Sequence, residues 1–151
     1  MKIIIFCVFV FLILIEQLIN LVIACKCSEV TKYCDTAWVA HVLTVNKEEV
    51  NIDTSPQPRY EVKILKSYRT SGEESCGNKN ENDFITTSPI NTDCDVTLVN
   101  GTEYLIGGMY SEGDKYINKC DSIIKKWNEI TEELKKGLEN GNMDCKKFKN
   151  D

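Results

Sequence analysis

Cysteine content constrains the fold of this chain more than any other feature of its sequence. Eight cysteines occur among 151 residues, and in an oxidising compartment such cysteines form a disulfide framework. The first residues predict that the chain enters such a compartment. Lys2 precedes an unbroken apolar stretch, Ile3–Ile15, and Val22-Ile23-Ala24 resembles a signal-peptidase site. We therefore predict a signal peptide at residues 1–24 and one mature domain at residues 25–151.

The alternative is a signal anchor that remains in the membrane. A membrane-spanning helix needs about 20 predominantly apolar residues, and Glu16 would lie inside such a helix. No second hydrophobic stretch of this kind follows in the sequence. The prediction is accordingly a secreted, extracellular protein that has no contact with the membrane after signal cleavage.

Signal cleavage would remove Cys7 and leave seven cysteines, which are Cys25, Cys27, Cys34, Cys76, Cys94, Cys120 and Cys145. Three disulfides and one remaining thiol are the simplest arrangement, but spacing alone allows roughly a hundred pairings and does not choose among them. Zinc ligation is the rival interpretation. It has little support, because there is no Cys-x-x-Cys pair and the single histidine, His41, lies seven residues from the nearest cysteine. We expect no intrinsic metal and no cofactor.

Composition and motifs argue against two other classes of function. The net charge of −5 disfavours nucleic acid as a partner, because binding to phosphates requires a basic surface. Catalysis by a nucleophile and a base would have to use His41, which lies in the middle of a predicted strand. The carboxylates are scattered and no glycine-rich phosphate loop is present. We predict that the protein is not an enzyme and that His41 has a structural role.

Apolar alternation and β-branched residues predict five or six strands. The strands are expected at Trp38–Val45, Arg59–Tyr68, Phe84–Thr87, Val96–Val99, Glu103–Tyr110 and Tyr116–Asn118. Prolines and polar residues predict loops at Asn51–Pro58 and Ser71–Asp83. The expected fold class is mainly β with α: a small closed β-barrel followed by a carboxy-terminal helix.

The helix is predicted from three apolar residues at helical spacing, Ile130, Leu134 and Leu138. Thr131 can cap its start, and Gly141 can end it. In front of the helical region, Asn100-Gly101-Thr102 is an N-glycosylation sequon in a predicted surface turn. A tight turn can hinder glycan transfer, so a modified and an unmodified Asn100 both remain open.

The amino terminus that signal cleavage would create is the most distinctive chemical group. Cys25 would carry an α-amino group beside its own backbone carbonyl, and the two can form a five-membered chelate with a metal held by another protein. The amine must be unprotonated, which its reference pKa of about 8 allows near neutral pH. Disulfides at Cys25 and Cys27 would clamp this terminus, and a catalytic zinc keeps an open position that the chelate could fill.

An ordered set of motifs along the mature chain resembles the inhibitory domain of the tissue inhibitors of metalloproteinases, within the netrin-like superfamily. The set consists of Cys25-Lys26-Cys27, Tyr33-Cys34, Arg59-Tyr60-Glu61-Val62-Lys63-Ile64, Thr87-Ser88-Pro89 before Cys94, Glu103-Tyr104-Leu105-Ile106-Gly107-Gly108, Cys120 followed by Trp127-Asn128, Lys135-Lys136-Gly137 and Cys145. In the family, the segment like Glu103–Gly108 reads Glu-Tyr-Leu-Ile-Ala-Gly. Each motif is weak alone, but their order is specific.

The resemblance implies a five-stranded OB-type barrel that is disulfide-bonded. It implies the pairs Cys25–Cys94, Cys27–Cys120 and Cys34–Cys145. Cys76 is then the unpaired cysteine, and two interpretations stay open for it: an incidental free thiol, or an intermolecular bridge that links a disulfide-bonded dimer or a partner.

The resemblance also implies a function. The protein would be a secreted metalloendopeptidase inhibitor whose partner is a secreted or cell-surface zinc metalloproteinase. Cys25 would chelate the zinc of that protease, and Lys26 and Cys27 would contact the specificity pocket. The segment before the bridging cysteine, with Thr92, Asp93 and Cys94, would lie alongside as a secondary contact.

Three departures from the family pattern support an alternative, and one of them is that six residues separate Cys27 from Cys34 without the family's Pro- and His-containing stretch. The family has Thr or Ser after the first cysteine, whereas this chain has Lys26, and an ammonium group is costly to bury in an apolar pocket. Asp93 adds a charge where the family tends to be apolar. The alternative function is a secreted netrin-like binding or immune-modulating module that has lost protease inhibition.

Overall fold

The structure, a computed structural model, describes residues 33–52, 55–70, 82–90, 92 and 94–143. Within these ranges the strands are β1 (Trp38–Ile52), β2 (Ser55–Thr70), β3 (Asn82–Thr87), β4 (Glu103–Ser111), β5 (Asp114–Ile117) and β6 (Ile123–Lys126). The α-helix is α1 (Glu132–Glu139), and short 3-10 turns cover Tyr33–Asp35 and Trp127–Glu129.

Five of these strands form a closed ring. β1 pairs antiparallel with β2, and β2 pairs antiparallel with β3. β3 then pairs parallel with β5, β5 pairs antiparallel with β4, and β4 returns to β1. The expected five-stranded OB-like barrel with a carboxy-terminal helix is confirmed. β6 is an addition that the strand prediction lacked, and it pairs with β4 over Tyr104–Gly107.

Register shifts bend the long β1–β2 hairpin around the barrel. They lie between Val39 and Ala40, between His41 and Val42, and on either side of Val45. Each shift leaves one residue without a partner and increases the local twist, which lets a hairpin curl enough to close a small barrel. At the last shift Val45 is the extra residue, and it is exposed.

Two apolar clusters lie on opposite faces of the barrel wall. The interior cluster is built around Trp38, Val42, Tyr60, Val62, Ile85, Tyr104, Ile106 and Ile117. The outer cluster contains Val39, Leu105, Ile123, Ile130 and Leu138. Successive strand residues point to opposite faces, so β1 and β4 supply both clusters. The strand that begins at Trp38 therefore has apolar residues on both faces.

Helix α1 covers the outer cluster and has the predicted ends. Thr131 is the N-cap, and its side-chain oxygen accepts a hydrogen bond from Leu134 N. Gly141 has a φ of 67° just after the helix, a conformation that glycine adopts without strain. Leu138 is the buried residue of the helix, so the helix is held by one apolar face, as its sequence spacing predicts.

The predicted loop Asn51–Pro58 is wrong. β1 continues to Ile52, β2 begins at Ser55, and Asn51 pairs with Pro56. Prolines are tolerated there because they lie where the strand needs no donor. The Pro56 carbonyl oxygen accepts a hydrogen bond from Ile90 N, so this carbonyl faces away from β1.

The predicted strand Val96–Val99 is also wrong, since the structure has no strand there. Its alternation instead reports burial: Val96 and Leu98 enter the interior cluster. Side-chain hydroxyls replace ladder bonds, because Tyr60 donates to Val96 O and Val99 N donates to the Tyr104 hydroxyl. The predicted strand Tyr116–Asn118 is present but displaced, as β5.

Candidate functional site

The segment between β3 and β4 carries the predicted secondary contact and is braced by short hydrogen bonds. Thr92 Oγ1 donates to the Pro89 carbonyl oxygen at 2.8 Å. Asp95 N donates to Thr92 O at 3.0 Å, and Ile90 N donates to Pro56 O of β2 at 3.3 Å. These bonds fix Thr92 relative to the barrel, although the described residues between β3 and β4 belong to no helix or strand.

Cys94 and Cys120 lie on neighbouring stretches of backbone. Both are disulfide-bonded. Lys119 N donates to the Cys94 carbonyl oxygen at 3.1 Å, which joins the segment before β4 to the turn between β5 and β6. Cys120 is buried, with 5% of its surface exposed. The fold therefore brings together two oxidised cysteines that are 26 residues apart in the sequence.

The turn that holds Cys120 is organised by Asn118. Asn118 Oδ1 accepts hydrogen bonds from Cys120 N at 2.8 Å and from Asp121 N at 2.7 Å. Asn118 N in turn donates to Ser122 Oγ at 3.0 Å. An asparagine that accepts from backbone N–H groups two and three residues ahead forms a side-chain turn, so the backbone around Cys120 is fixed by a polar side chain.

Several residues of the predicted site lie outside the described residues: Cys25, Lys26, Cys27, Asp93, Cys76 and Cys145. The pairs Cys25–Cys94 and Cys27–Cys120 therefore stay predictions, as does the role of Cys76. The structure brings Cys94 and Cys120 together. Thr92 is hydrogen-bonded to Pro89, and the next residue, Ile90, is hydrogen-bonded to Pro56 of β2.

Cys34 lies in the first 3-10 turn and is half-buried. The turn is attached to the end of β2, because Arg69 Nη1 donates to Tyr33 O at 3.2 Å and the Tyr33 hydroxyl donates to Tyr68 O at 3.4 Å. The pair Cys34–Cys145 stays a prediction, because Cys145 lies outside the described residues.

The sequon lies in a surface turn, as expected. Asn100 is exposed, and Gly101 has a φ of 74°. Thr102 N donates to Val99 O to close the turn, and Gly101 N donates to Thr44 O at 2.7 Å. The turn is thus bonded to β1, which holds Asn100 on the surface.

His41 has the structural role that the sequence predicts. Its Nε2 lies 2.8 Å from Glu103 Oε2, and its ring stacks on Trp127. Burial lowers the pKa of His41 below its ordinary value, and the hydrogen bond to Glu103 opposes this shift only in part. The ring is thus held between a side-chain partner on β4, Glu103, and a stacking partner, Trp127.

Two further findings apply only to the part of the chain that the structure describes. In it, no group of three or more His, Cys, Asp or Glu side chains is arranged to hold a metal ion. None of its helices has the length and apolar character needed to cross a membrane.

Sequence reasoning missed the turn residues Asn118 and Ser122. A signal was present, because Asn118 stands two residues before Cys120 and asparagine commonly bonds to backbone N–H groups two residues ahead. The bond between Lys119 N and Cys94 O carries no such signal, since any residue other than proline at 119 could make it.

Comparison with known protein families agrees with the barrel fold and with the pattern of cysteines described above. The family model described as Tissue inhibitor of metalloproteinase matches residues 23–147. The matched range includes all six strands, α1 and the seven cysteines from Cys25 onward. No curated protein matches the chain.

Proposed function

The chain belongs to the tissue inhibitor of metalloproteinase family, and on this premise we propose that it is a secreted inhibitor of a zinc metalloendopeptidase. In this proposal the signal peptide, residues 1–24, is removed and the mature protein begins at Cys25. The family match begins at residue 23, close to the proposed cleavage point, which supports this boundary.

The inhibitory group in this proposal is the free amino terminus. The α-amino nitrogen and the carbonyl oxygen of Cys25 chelate the target's zinc at the position that the protease keeps open for water or substrate. The amine binds in its unprotonated form, and its ordinary pKa near 8 makes loss of the proton inexpensive near neutral pH. Any residue placed before Cys25 would convert the amine into an amide, which is a poor zinc ligand.

The observation that carries the mechanism is the closeness of Cys94 and Cys120. Both are disulfide-bonded, and Lys119 N bonds to Cys94 O at 3.1 Å. If they pair with Cys25 and Cys27, two neighbouring points of the barrel hold the first and third residues of the mature chain. The conformational entropy of the terminus is then lost on folding rather than on binding, which strengthens inhibition.

Target choice in this proposal depends on the residues beside the chelate. Lys26 enters the specificity pocket with Cys27 at its rim, and its apolar stem suits a pocket whose far end is acidic or open to water. Thr92, Asp93 and Cys94 form the secondary contact. The hydrogen bonds of Thr92 to the Pro89–Asp95 segment support a preformed contact surface at this position.

The test is titration of the mature protein against a panel of metalloproteinase catalytic domains. The matched control has one additional alanine before Cys25 and is otherwise identical. We expect the mature protein to inhibit at least one member of the panel and the extended protein to inhibit it at least about a hundredfold less, because a two-atom chelate is lost. Equal inhibition by the two proteins would contradict chelation by Cys25.

The second candidate function is a netrin-like binding or immune-modulating module without inhibitory activity. Lys26 is the feature that favours it. Absence of inhibition across the whole panel, with a correctly folded and processed protein, would favour this second function over the first.

A further inference from the structure

We propose that Asn118 is the positioning residue that preorganises the amino terminus of this inhibitor. The proposal rests on the proposed function, because it assumes that Cys94 and Cys120 bind Cys25 and Cys27. In this proposal the half-buried side-chain amide of Asn118 keeps the two anchoring cysteines in a fixed relation.

Asn118 closes the turn that holds Cys120 through three hydrogen bonds. Asn118 Oδ1 accepts from Cys120 N at 2.8 Å and from Asp121 N at 2.7 Å, and Asn118 N donates to Ser122 Oγ at 3.0 Å. One side chain thus satisfies two backbone donors, and Ser122, which is buried, satisfies the donor of Asn118 itself. Because Cys120 is also buried, its N–H group has little access to water as a substitute acceptor.

The same turn is hydrogen-bonded to the backbone of Cys94. Lys119 lies between Asn118 and Cys120, and its N–H group donates to Cys94 O at 3.1 Å. The direction of that N–H group depends on the shape of the turn that Asn118 closes. The amide of Asn118 therefore fixes both the backbone of Cys120 and the position of that backbone against Cys94.

Asn118 lies outside the strand pairings and the apolar clusters that stabilise the barrel. The turn connects β5, which ends at Ile117, to β6, which begins at Ile123, and residues 118–122 take part in no strand pairing. Asn118 also belongs to neither apolar cluster. Loss of its side chain should loosen the turn while the strands on both sides stay paired.

Loosening the turn has a defined consequence for binding. The terminus would then be ordered partly on binding to the protease, so part of the entropy cost would move from folding to binding. Fixing the backbone of one residue corresponds to a factor of about five to thirty in an equilibrium constant. We expect Asn118→Ala to weaken inhibition by about this factor.

The experiment compares Asn118→Ala with a matched control, Thr131→Ala. Each substitution removes a side-chain acceptor of backbone N–H groups, and Thr131 caps α1 on the outer cluster. Inhibition constants and thermal unfolding midpoints are measured for both. Weaker inhibition by Asn118→Ala alone supports the proposal, whereas an equal loss in Thr131→Ala would overturn it, because the effect would then follow stability rather than position.

A rescue variant tests the side-chain chemistry. Asn118 Nδ2 lies 3.4 Å from Asp121 Oδ2, so Asn118→Asp alone would place two carboxylates together. Asn118→Asp keeps an oxygen acceptor for the two N–H groups, and adding Asp121→Asn removes the repulsion between carboxylates and reverses the direction of the side-chain bond. We expect inhibition by the double variant to return to within about threefold of the wild type. Failure to recover would contradict the proposed role of the acceptor.

A readout on the free protein separates this inference from the proposed function. NMR order parameters of Cys25–Cys27 and hydrogen exchange at Cys120 N and Asp121 N are measured without any protease. We expect lower order and faster exchange in Asn118→Ala but not in Thr131→Ala. If the wild type inhibits nothing, the proposed function fails and these measurements still decide the positioning role. Unchanged order of Cys25–Cys27 in Asn118→Ala would overturn it.

Discussion

His41 stacks on Trp127, with ring centroids 3.7 Å apart and ring planes that differ by 13°. The histidine belongs to β1, and the tryptophan begins the 3-10 turn that leads into α1. From α1, Lys135 Nζ lies 5.2 Å from the centroid of the Trp127 ring. The stack therefore fastens the carboxy-terminal helix to the barrel through one titratable ring.

This stack predicts a dependence of stability on pH. The pKa of His41 lies below its ordinary value of 6.5, mainly because burial disfavours the imidazolium; the bond to Glu103 and its charge raise the pKa, and the charge of Lys135 lowers it. As pH falls through 6.5, the unfolded chain takes up a proton before the folded chain does. The free energy of unfolding should thus decrease from about pH 7 downward, by at most about 1.4 kcal/mol per pH unit for this one group.

The measurement is urea denaturation between pH 5 and 7.5 on the wild type and on His41→Phe, which keeps a stacking ring without a titrating nitrogen. Subtracting the two curves removes the contribution of the other groups. The difference should vary with pH in the direction stated above, and parallel curves would contradict the assignment to His41.

Two adjacent glycines in β4 should respond very differently to alanine. A Cβ at Gly108 would clash with the Tyr116 carbonyl oxygen and would lie 2.9 Å from Ile117 Cγ2. Because the backbone of β5 cannot move without opening the barrel, Gly108→Ala should cost more than about 3 kcal/mol or prevent folding. Thermal unfolding and the yield of folded protein report this effect.

Gly107→Ala is the matched control for that prediction. A Cβ at Gly107 would lie 3.0 Å from Val39 Cγ2 and 3.1 Å from Trp38 O, a tight contact that a small shift of the valine relieves in part. We expect a cost of about 1 kcal/mol, in keeping with the alanine that the family has at this position. Similar losses for the two variants would disagree with the packing described for β4.

Lys26→Thr should tighten inhibition of any metalloproteinase that the wild type inhibits weakly and that has an apolar specificity pocket. Removing an ammonium group from such a pocket should strengthen binding by at least about tenfold. Inhibition constants for Lys26→Thr and Lys26→Met, which keeps the length of the stem, distinguish charge from size. Unaltered constants in both variants would mean that Lys26 does not enter the pocket.

Asn100 should carry an N-linked glycan when the chain is made in a eukaryotic secretory pathway, because the sequon lies on an exposed turn. Intact-mass measurement before and after enzymatic deglycosylation detects it. Asn100→Gln and Thr102→Ala should both abolish the added mass while Asn100→Gln leaves the unfolding midpoint of the deglycosylated protein nearly unchanged. A single unmodified mass for the wild type would refute this prediction.

The sequence correctly predicted which side chains of β2 are buried, because burial along a strand follows the local alternation of apolar residues. Tyr60 and Val62 are buried in the barrel and Ile64 packs against the interior cluster, as their period of two indicates. The same period misled at Val96 and Leu98, which are buried without strand pairing. Alternation reports which side chains are buried, and it does not say whether the backbone finds a partner strand.

Proline signals failed for a related reason. Pro56 and Pro58 lie in β2 because their missing donors matter only on the side where a partner strand needs them. That side is decided by tertiary structure and not by the local sequence. Cysteine spacing permitted many pairings and likewise did not predict that Cys94 and Cys120 lie close together, because the tertiary structure creates this contact.

The ring closure described above has a consequence for the order of folding events. β1 meets β2 through a local hairpin, but it meets β4 only through contacts such as His41 with Leu105, 64 residues away. Distant contacts form late, because the intervening chain must first be closed into a loop. Closure of the β1–β4 seam is therefore expected to be a late event of folding, whereas the β1–β2 hairpin can form before the rest of the barrel is in place.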